Sequence, residues 1–465
     1  MATIPGTSNP DMLDGTSFDD TITALGGNDT VFAWSGADLV ELGTGDDRVE
    51  NGLDNDTVYG GQGNDTILAG GGDDQIFGGD GSDEIVANDP LLAGIGNASG
   101  GAGDDRVIIY STSGGTFRGG TGTDVISFTN ATDADLLVDL DNNLLSSSGA
   151  FLPGVTFSSF ERLEVLTGLG DDTVLGGALD DWLSVGSGAN SVNAKAGNDT
   201  VTYVARDANT LRGGEGDDTL VVSSGTSNLY FILDAFDGSV DDGSLSDIQG
   251  FEHFVAIGSE FDDVTSFGGG RDVFNGAAGR DSSVGRDGAD MLSGESGADS
   301  LEGGSGRDTL LGGSGDDMIH GDTGDDRITG GAGDDRIKAG AGDDRIRLET
   351  GNDTVTGGGG ADRFLFTSNQ SGLHSITDFE VGIDRLNFTG IFLQQGPAPG
   401  PLDPSLLSFG VATGPQAQFV LTYSALTDTS TLHWDTNGDD PAGGTYSLVL
   451  LSGQIALTAA DILIL

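Results

Sequence analysis

A large apolar residue recurs every nine positions through much of this chain, two places after an aspartate and shortly after a cluster of glycines. Residues 303–347 read GGSGRDTLL, GGSGDDMIH, GDTGDDRIT, GGAGDDRIK, AGAGDDRIR, so the frame is G-G-x-G-x-D-x-U-x, with U a large apolar residue. Twelve consecutive units cover 258–365, nine cover 6–86 and four cover 167–202. Single units stand at 100–108, 119–127 and 213–221, which makes 28 in all. The eighth position is apolar in 26 of them, Thr265 and Ser283 being the exceptions, and the sixth is aspartate in 27, with Asn190 in the other. The three residues x-U-x predict a short strand whose middle side chain points inward. The six residues before it predict a turn, where glycine permits positive φ and close backbone approach. Such a period marks a repeat architecture whose units bury a core only by stacking.

The pattern divides the chain into four regions. Residues 1–86 and 258–365 form regular arrays. Residues 87–257 are irregular and hold a module of about 90 residues twice: GDDRVIIYSTSGGTFRGG from Gly103 parallels GNDTVTYVARDANTLRGG from Gly197. The excursions within 128–166 and 223–257 contain LLVDLDNNLL and LYFILDAF, which read as longer strands. This region is read as a continuing solenoid with bulged coils, the alternative being a separate small β domain, and 87–99 reads as a loop. After residue 365 the nine-residue period stops. The segment 366–465 carries a Pro-rich loop (QQGPAPGPLDP), then FVLTYSA, STLHW and TYSLVLL, and predicts a C-terminal β cap for the exposed end of the solenoid. Asp435-Thr436-Asn437-Gly438-Asp439 reads as a hairpin turn, since Tyr446 stands where a calcium loop of the EF-hand type needs Glu.

Charge changes the picture. The chain has 465 residues, 75 Asp plus Glu against 18 Lys plus Arg, and a formal charge of −57. That balance excludes nucleic acid and anionic membranes as expected partners, and no run of about 18 apolar residues predicts membrane insertion. No cysteine is present, so disulfides and thiolate chemistry are absent. Met1 to Pro10 shows neither the basic nor the apolar region of a cleaved secretory signal. His253, His320, His374 and His433 are scattered and form no H-E-x-x-H, and no G-x-S-x-G elbow occurs, so the expectation is a protein without catalysis. Arg327, Arg336, Lys338, Arg345 and Arg347 cluster in one stretch. The three arginines at the seventh position are predicted to face outward, either pairing with neighbouring acids or offering a stripe to an anionic glycan.

Stacked sixth-position carboxylates repel one another unless a divalent cation lies between the loops. Oxygen donors without nitrogen or sulfur suit Ca²⁺. The candidate metal ligands in the first array are Asp11, Asp20, Asp29, Asp38, Asp47, Asp56, Asp65, Asp74 and Asp83. In the middle they are Asp105, Asp124, Asp172, Asp181, Asp199 and Asp218. In the second array they are Asp272, Asp281, Asp290, Asp299, Asp308, Asp317, Asp326, Asp335, Asp344, Asp353 and Asp362. Local departures fall at Asn190, at Ser283, and at the unit 258–266, where Phe261 replaces glycine.

The frame resembles the RTX (repeats-in-toxin) nonapeptide family of hemolysin-type calcium-binding proteins. The resemblance implies an all-β fold, a parallel β-roll with two units per circuit and calcium between turns i and i+2. Asp308 would then share an ion with Asp326, and Asp317 with Asp335. Roughly 15–20 Ca²⁺ are expected at one ion per pair of turns. Ile376, Asp378, Phe379, Gly382, Asp384, Leu386 and Phe388 resemble the family's C-terminal region, and Asp461-Ile462-Leu463-Ile464-Leu465 resembles a type I secretion signal. The expected role is a secreted structural, matrix or surface-layer component of a Gram-negative bacterium. Its expected partners are calcium, the type I secretion apparatus, and either further copies of itself or cell-surface polysaccharide. A calcium-dependent adhesin, or an enzyme with a site in the irregular middle, are the alternatives.

Overall fold

The computed structural model describes residues 1–87, 96–110, 114–129, 134–147, 155–205, 207–223, 229–233, 240–241, 246–389, 399–410, 417–435 and 445–465. Most of the loop expected at 87–99, parts of both excursions, residues 394–398 of the Pro-rich loop and residues 436–439 of the expected hairpin lie outside the described residues. The chain is a parallel β-solenoid. Two short 3-10 turns, Pro404–Leu406 and Ala459–Asp461, are the helical elements among the described residues. It divides into two compact units. One comprises Met1–Val221 with Ser244–Phe251, the other Val222–Gly243 with Glu252–Leu465.

In both units successive strands alternate between two sheets, and each strand pairs in parallel with the strand 18 residues later in the regular arrays. Ile22 lies beside Val40, Val40 beside Val58, Leu310 beside Ile328, and Ile328 beside Ile346. Two nine-residue units therefore make one circuit. Eighth-position side chains such as Val31, Val49, Ile67, Ile319 and Ile337 are buried and form the core between the sheets.

The strands are longer than x-U-x. In regular coils they run six residues, as in Thr57–Gln62, Thr309–Ser314 and Arg336–Ala341, continuing through the next unit's first three positions. The first position is thus a second inward one, because side chains alternate along a strand. Where it is not glycine it adds to the core: Leu42, Phe267 and Leu348 are fully buried. The second position is commonly left-handed. Among the described residues, seven of the ten non-glycine residues with positive φ stand there, including Trp34 (φ 74), Arg286 (φ 75) and Asp322 (φ 71). L-residues reach that region only at a cost, so the fold demands the turn strongly enough to impose it on them.

The irregular coils keep the stacking. Phe117 pairs with Phe157 in one sheet, and Ile126 with Leu163 in the other. In the second unit, His374–Ile376 pairs with Thr445–Ser452, which continues into an antiparallel sheet with Thr429–Asp435 and Gln418–Ser424. Phe366, Phe388, Phe419 and Trp434 meet ring to ring in sequence at centroid distances of 4.7, 5.3 and 4.9 Å, the first pair stacked and the others tilted, filling the end of the core. The final strand Ile462–Ile464 adds in register to Arg385–Phe388.

Candidate metal centre

Circuits of 18 residues place each sixth-position aspartate directly above the one two units later. Its backbone N–H then donates to the next carboxylate's Oδ1. Asp308 N–H donates to Asp326 Oδ1 at 2.9 Å, and Asp317 N–H to Asp335 Oδ1 at 3.0 Å. The same bond joins Asp29 to Asp47, Asp47 to Asp65 and Asp65 to Asp83, and then Asp83 to Asp105 and Asp105 to Asp124. On the other edge of that unit it joins Asp20 to Asp38, Asp38 to Asp56 and Asp56 to Asp74. Further ladders run from Asp181 through Asp199 to Asp218, and from Asp272 through Asp290, Asp308, Asp326 and Asp344 to Asp362. The last runs from Asp263 through Asp281, Asp299, Asp317 and Asp335 to Asp353. Asp172 N–H donates to Asn190 Oδ1.

The second oxygen decides the chemistry. Among the described residues, Oδ2 is buried without a partner in 22 aspartates, including Asp65, Asp83, Asp290, Asp326 and Asp344, Asp353 being set apart by its contact with His374. A buried unpaired polar atom costs about 1–3 kcal/mol, more when charged. Summed over the ladders, that cost far exceeds the ~5–15 kcal/mol by which a domain is stable. Desolvation shows the same stress. Burial pushes Asp56, Asp65, Asp326 and Asp335 up to about 7 and Asp272 up to about 8. Asp74, Asp317 and Asp344 rise to about 6 for the same reason.

Two observations test whether a cation fits. A Cβ on first-position Gly303 would lie 2.5 Å from Asp308 Oδ2 and 3.0 Å from the Gly321 carbonyl oxygen, so glycine leaves this space open. Where aspartate is replaced, Asn190 turns its amide nitrogen onto turn carbonyls, donating to Gly186 O at 3.0 Å and Gly188 O at 3.2 Å. There a partial positive charge sits between the sixth side chain and the carbonyls of positions two and four. Carboxylate and carbonyl oxygens converging in this way are a donor set for a hard divalent cation.

Four units break the pattern. In 6–14, 15–23, 176–184 and 258–266 the fourth position is Asn9, Phe18, Leu179 and Phe261 in place of glycine. There the second-position N–H caps Oδ2: Thr7 to Asp11 at 2.6 Å, Thr16 to Asp20 at 2.8 Å, Gly177 to Asp181 at 2.7 Å and Ser259 to Asp263 at 2.7 Å. Thr16 lowers the Asp20 carboxyl below its usual range. The unit 51–59 has Asp54 at the fourth position yet keeps Asp56 Oδ2 free, because Gly52 holds the second position left-handed at φ 151.

The ladders end on residues that the nine-residue frame did not flag. Asp124 N–H donates to Glu161, and Asn190 N–H to Asn209 Oδ1. Asp362 N–H donates to Asp384 Oδ1 at 3.0 Å, while Asp384 Oδ2 accepts from Glu380 N–H. Fully buried His374 places Nδ1 2.7 Å from Asp353 Oδ2. Phe379 to Asn387 reads as one more unit, with Gly382, Asp384 and Leu386 at its fourth, sixth and eighth positions. That signal was present in the sequence. The roles of Glu161 and His374 had none, because both arrive from outside the frame.

Among the described residues, no three His, Cys, Asp or Glu side chains gather as a metal cluster, so any cation site draws on main-chain oxygens. His253 Nδ1 accepts from Arg271 N–H, and His433 lies between Thr422 and Ser447.

Comparison with known sequences matches the RTX calcium-binding nonapeptide repeat over residues 6–49, 50–85, 166–201, 205–228, 284–319, 311–346, 320–355 and 340–366. No curated protein matches the chain. Among solved structures, the extracellular lipase LipA from Serratia marcescens is similar over 74% of this chain and 45% of its own, with 16% identity and a TM-score of 0.13. This chain therefore spans under half of that lipase.

Proposed function

This chain belongs to the RTX calcium-binding nonapeptide-repeat family, and from that premise we propose that it is a secreted, non-catalytic protein folded by calcium outside the cell. In this reading it serves as a structural, matrix or surface-layer component. The observation that carries the proposal is the set of 22 buried Oδ2 atoms left without a partner among the described residues. Those aspartates, with turn carbonyls such as the ones Asn190 engages, would hold the ions. Bound Ca²⁺ would supply the positive charge that the ladders lack. Roughly 15–20 ions would then cancel on the order of 30–40 charges at two per ion. Asp11, Asp20 and Asp181 drop out of the expected ligand set, because their second oxygen is already satisfied.

At low calcium the carboxylates repel, and the glycine-rich turns lose much backbone entropy on folding, so the chain stays extended and suited to export. At millimolar calcium, binding free energy becomes folding free energy. The described residues are occupied by stacked coils and their cap, an arrangement that exposes long repetitive surfaces suited to assembly. Electron microscopy of the calcium-loaded protein tests the role: ordered sheets or filaments support it, and monodisperse particles refute self-assembly. The row of arginines on successive strands at Arg327, Arg345, Arg363 and Arg385 favours a second reading as a glycan-binding protein.

A further inference from the structure

The solenoid sorts the basic cluster of the second unit into two sheets. Arg336 and Lys338 lie in one. In the other, Arg327, Arg345, Arg363 and Arg385 fall in exact register on four successive strands. Adjacent rungs are about 4.8 Å apart, all four residues are exposed, and like charges directly opposite one another destabilise a sheet. Elsewhere bases meet acids: Arg106 pairs with Glu164, Lys195 with Asp141 and Arg212 with Asp247. No ion pair is made by the four arginines among the described residues, although the chain carries 75 acids. Asp325, beside Arg307 and Arg345, and Asp343 flank the first two rungs. At the third and fourth rungs the corresponding positions are Ala361 and Ile383. Asp326, Asp344, Asp362 and Asp384 adjoin the row in sequence but are buried on the inner side. Arg327, Arg345 and Arg363 line a groove of about 520 Å³, together with Arg347, Asn387 and Leu465, and Arg385 continues the row on the next strand.

We propose that this arginine row binds a linear polysaccharide carrying a carboxylate on successive sugars. A guanidinium binds carboxylate bidentately through two parallel N–H donors. A row of four at strand spacing matches a ligand whose charges also repeat along a line. The groove lining contains no aromatic ring, which disfavours single-stranded nucleic acid, whose bases need stacking platforms. The inference names a partner for the secreted protein proposed above and rests on that reading's calcium-loaded fold.

The test is isothermal titration of the calcium-loaded full chain with tetragalacturonate, with circular dichroism on the same samples. The expected result is saturable binding that weakens as salt is raised. The double variant Arg363→Gln/Arg385→Gln should bind at least tenfold more weakly, and Arg336→Gln/Lys338→Gln in the opposite sheet should change affinity less than twofold. Equal loss in both variants, or no binding by folded wild type, overturns the site. Tighter binding of an oligothymidylate of equal charge overturns the sugar assignment. A wild-type chain lacking β signal in calcium refutes instead the folding reading on which the site depends.

Discussion

The turns at 312–317 and 258–263 share aspartate at the sixth position and lie in the same array, yet their carboxylates do opposite things. Gly315 is left-handed (φ 126), the preceding strand runs on to Ser314, and Asp317 Oδ2 is buried without a partner. In the other turn Phe261 occupies the fourth position, the preceding strand stops at Ile257, and Ser259 N–H caps Asp263 Oδ2. One turn is incomplete without a cation; the other is complete in itself. Aspartate at the sixth position therefore does not by itself leave an open carboxylate oxygen. In this pair the difference lies in the backbone of positions two and four, which turns an N–H toward Asp263 and holds it away from Asp317.

Removing calcium should give the largest effect. With EGTA the arrays with free Oδ2 atoms should lose most of their β circular dichroism, and a spectrum insensitive to chelation would end the calcium-folding account. Next come single ligands. Asp326→Ala should raise the calcium concentration at the folding midpoint severalfold. Asp325→Ala, which loses an exposed carboxylate bonded to Asp343 N–H, should shift it less than twofold. Equal shifts would contradict the assignment.

Protons offer a third route to the same carboxylates. In the metal-free fold burial raises Asp56, Asp65, Asp326 and Asp335 to about 7 and Asp272 to about 8, above the ~3.9 of an unfolded aspartate. The folded state thus binds more protons, and stability falls as pH rises between those values. Metal-free protein should gain β signal as pH is lowered from about 8 toward 4, while calcium affinity falls over the same range. A metal-free chain that loses structure on acidification would reverse the sign. The smallest effect is a single ion: Ser259→Gly/Phe261→Gly should free Asp263 Oδ2 and add one bound Ca²⁺ by native mass spectrometry. An unchanged count would show that these positions do not govern the site.

Much of this was legible in the sequence because the repeat is strict. The inward eighth position follows from counting, while the 18-residue circuit and the Asp308–Asp326 and Asp317–Asp335 neighbours follow from the resemblance to the RTX repeat. The strand length was misjudged because glycine at positions one to three reads as turn, whereas those residues extend the ladder with no side chain to pack. The arginine cluster was visible as Arg327 to Arg347, but its division between two sheets and its extension to Arg363 and Arg385 were not. Residues 18 apart become neighbours only once the coil closes, and the cap strand Arg385–Phe388 stands 22 residues beyond Arg363.

By itself the sequence determined the inward residues, because strand alternation fixes which side of x-U-x faces the core, and its resemblance to the RTX repeat supplied the fold class and the ladder of aspartates. Only the tertiary structure decided which carboxylates remain unsatisfied. That depends on where a backbone N–H points after a left-handed turn, and on residues such as Glu161 and His374 that reach the ladders from outside the repeat. Hydrogen-bond geometry of this kind is set by the closed coil, where a rotation at one residue moves a donor into or out of reach of a carboxylate whose identity never changed.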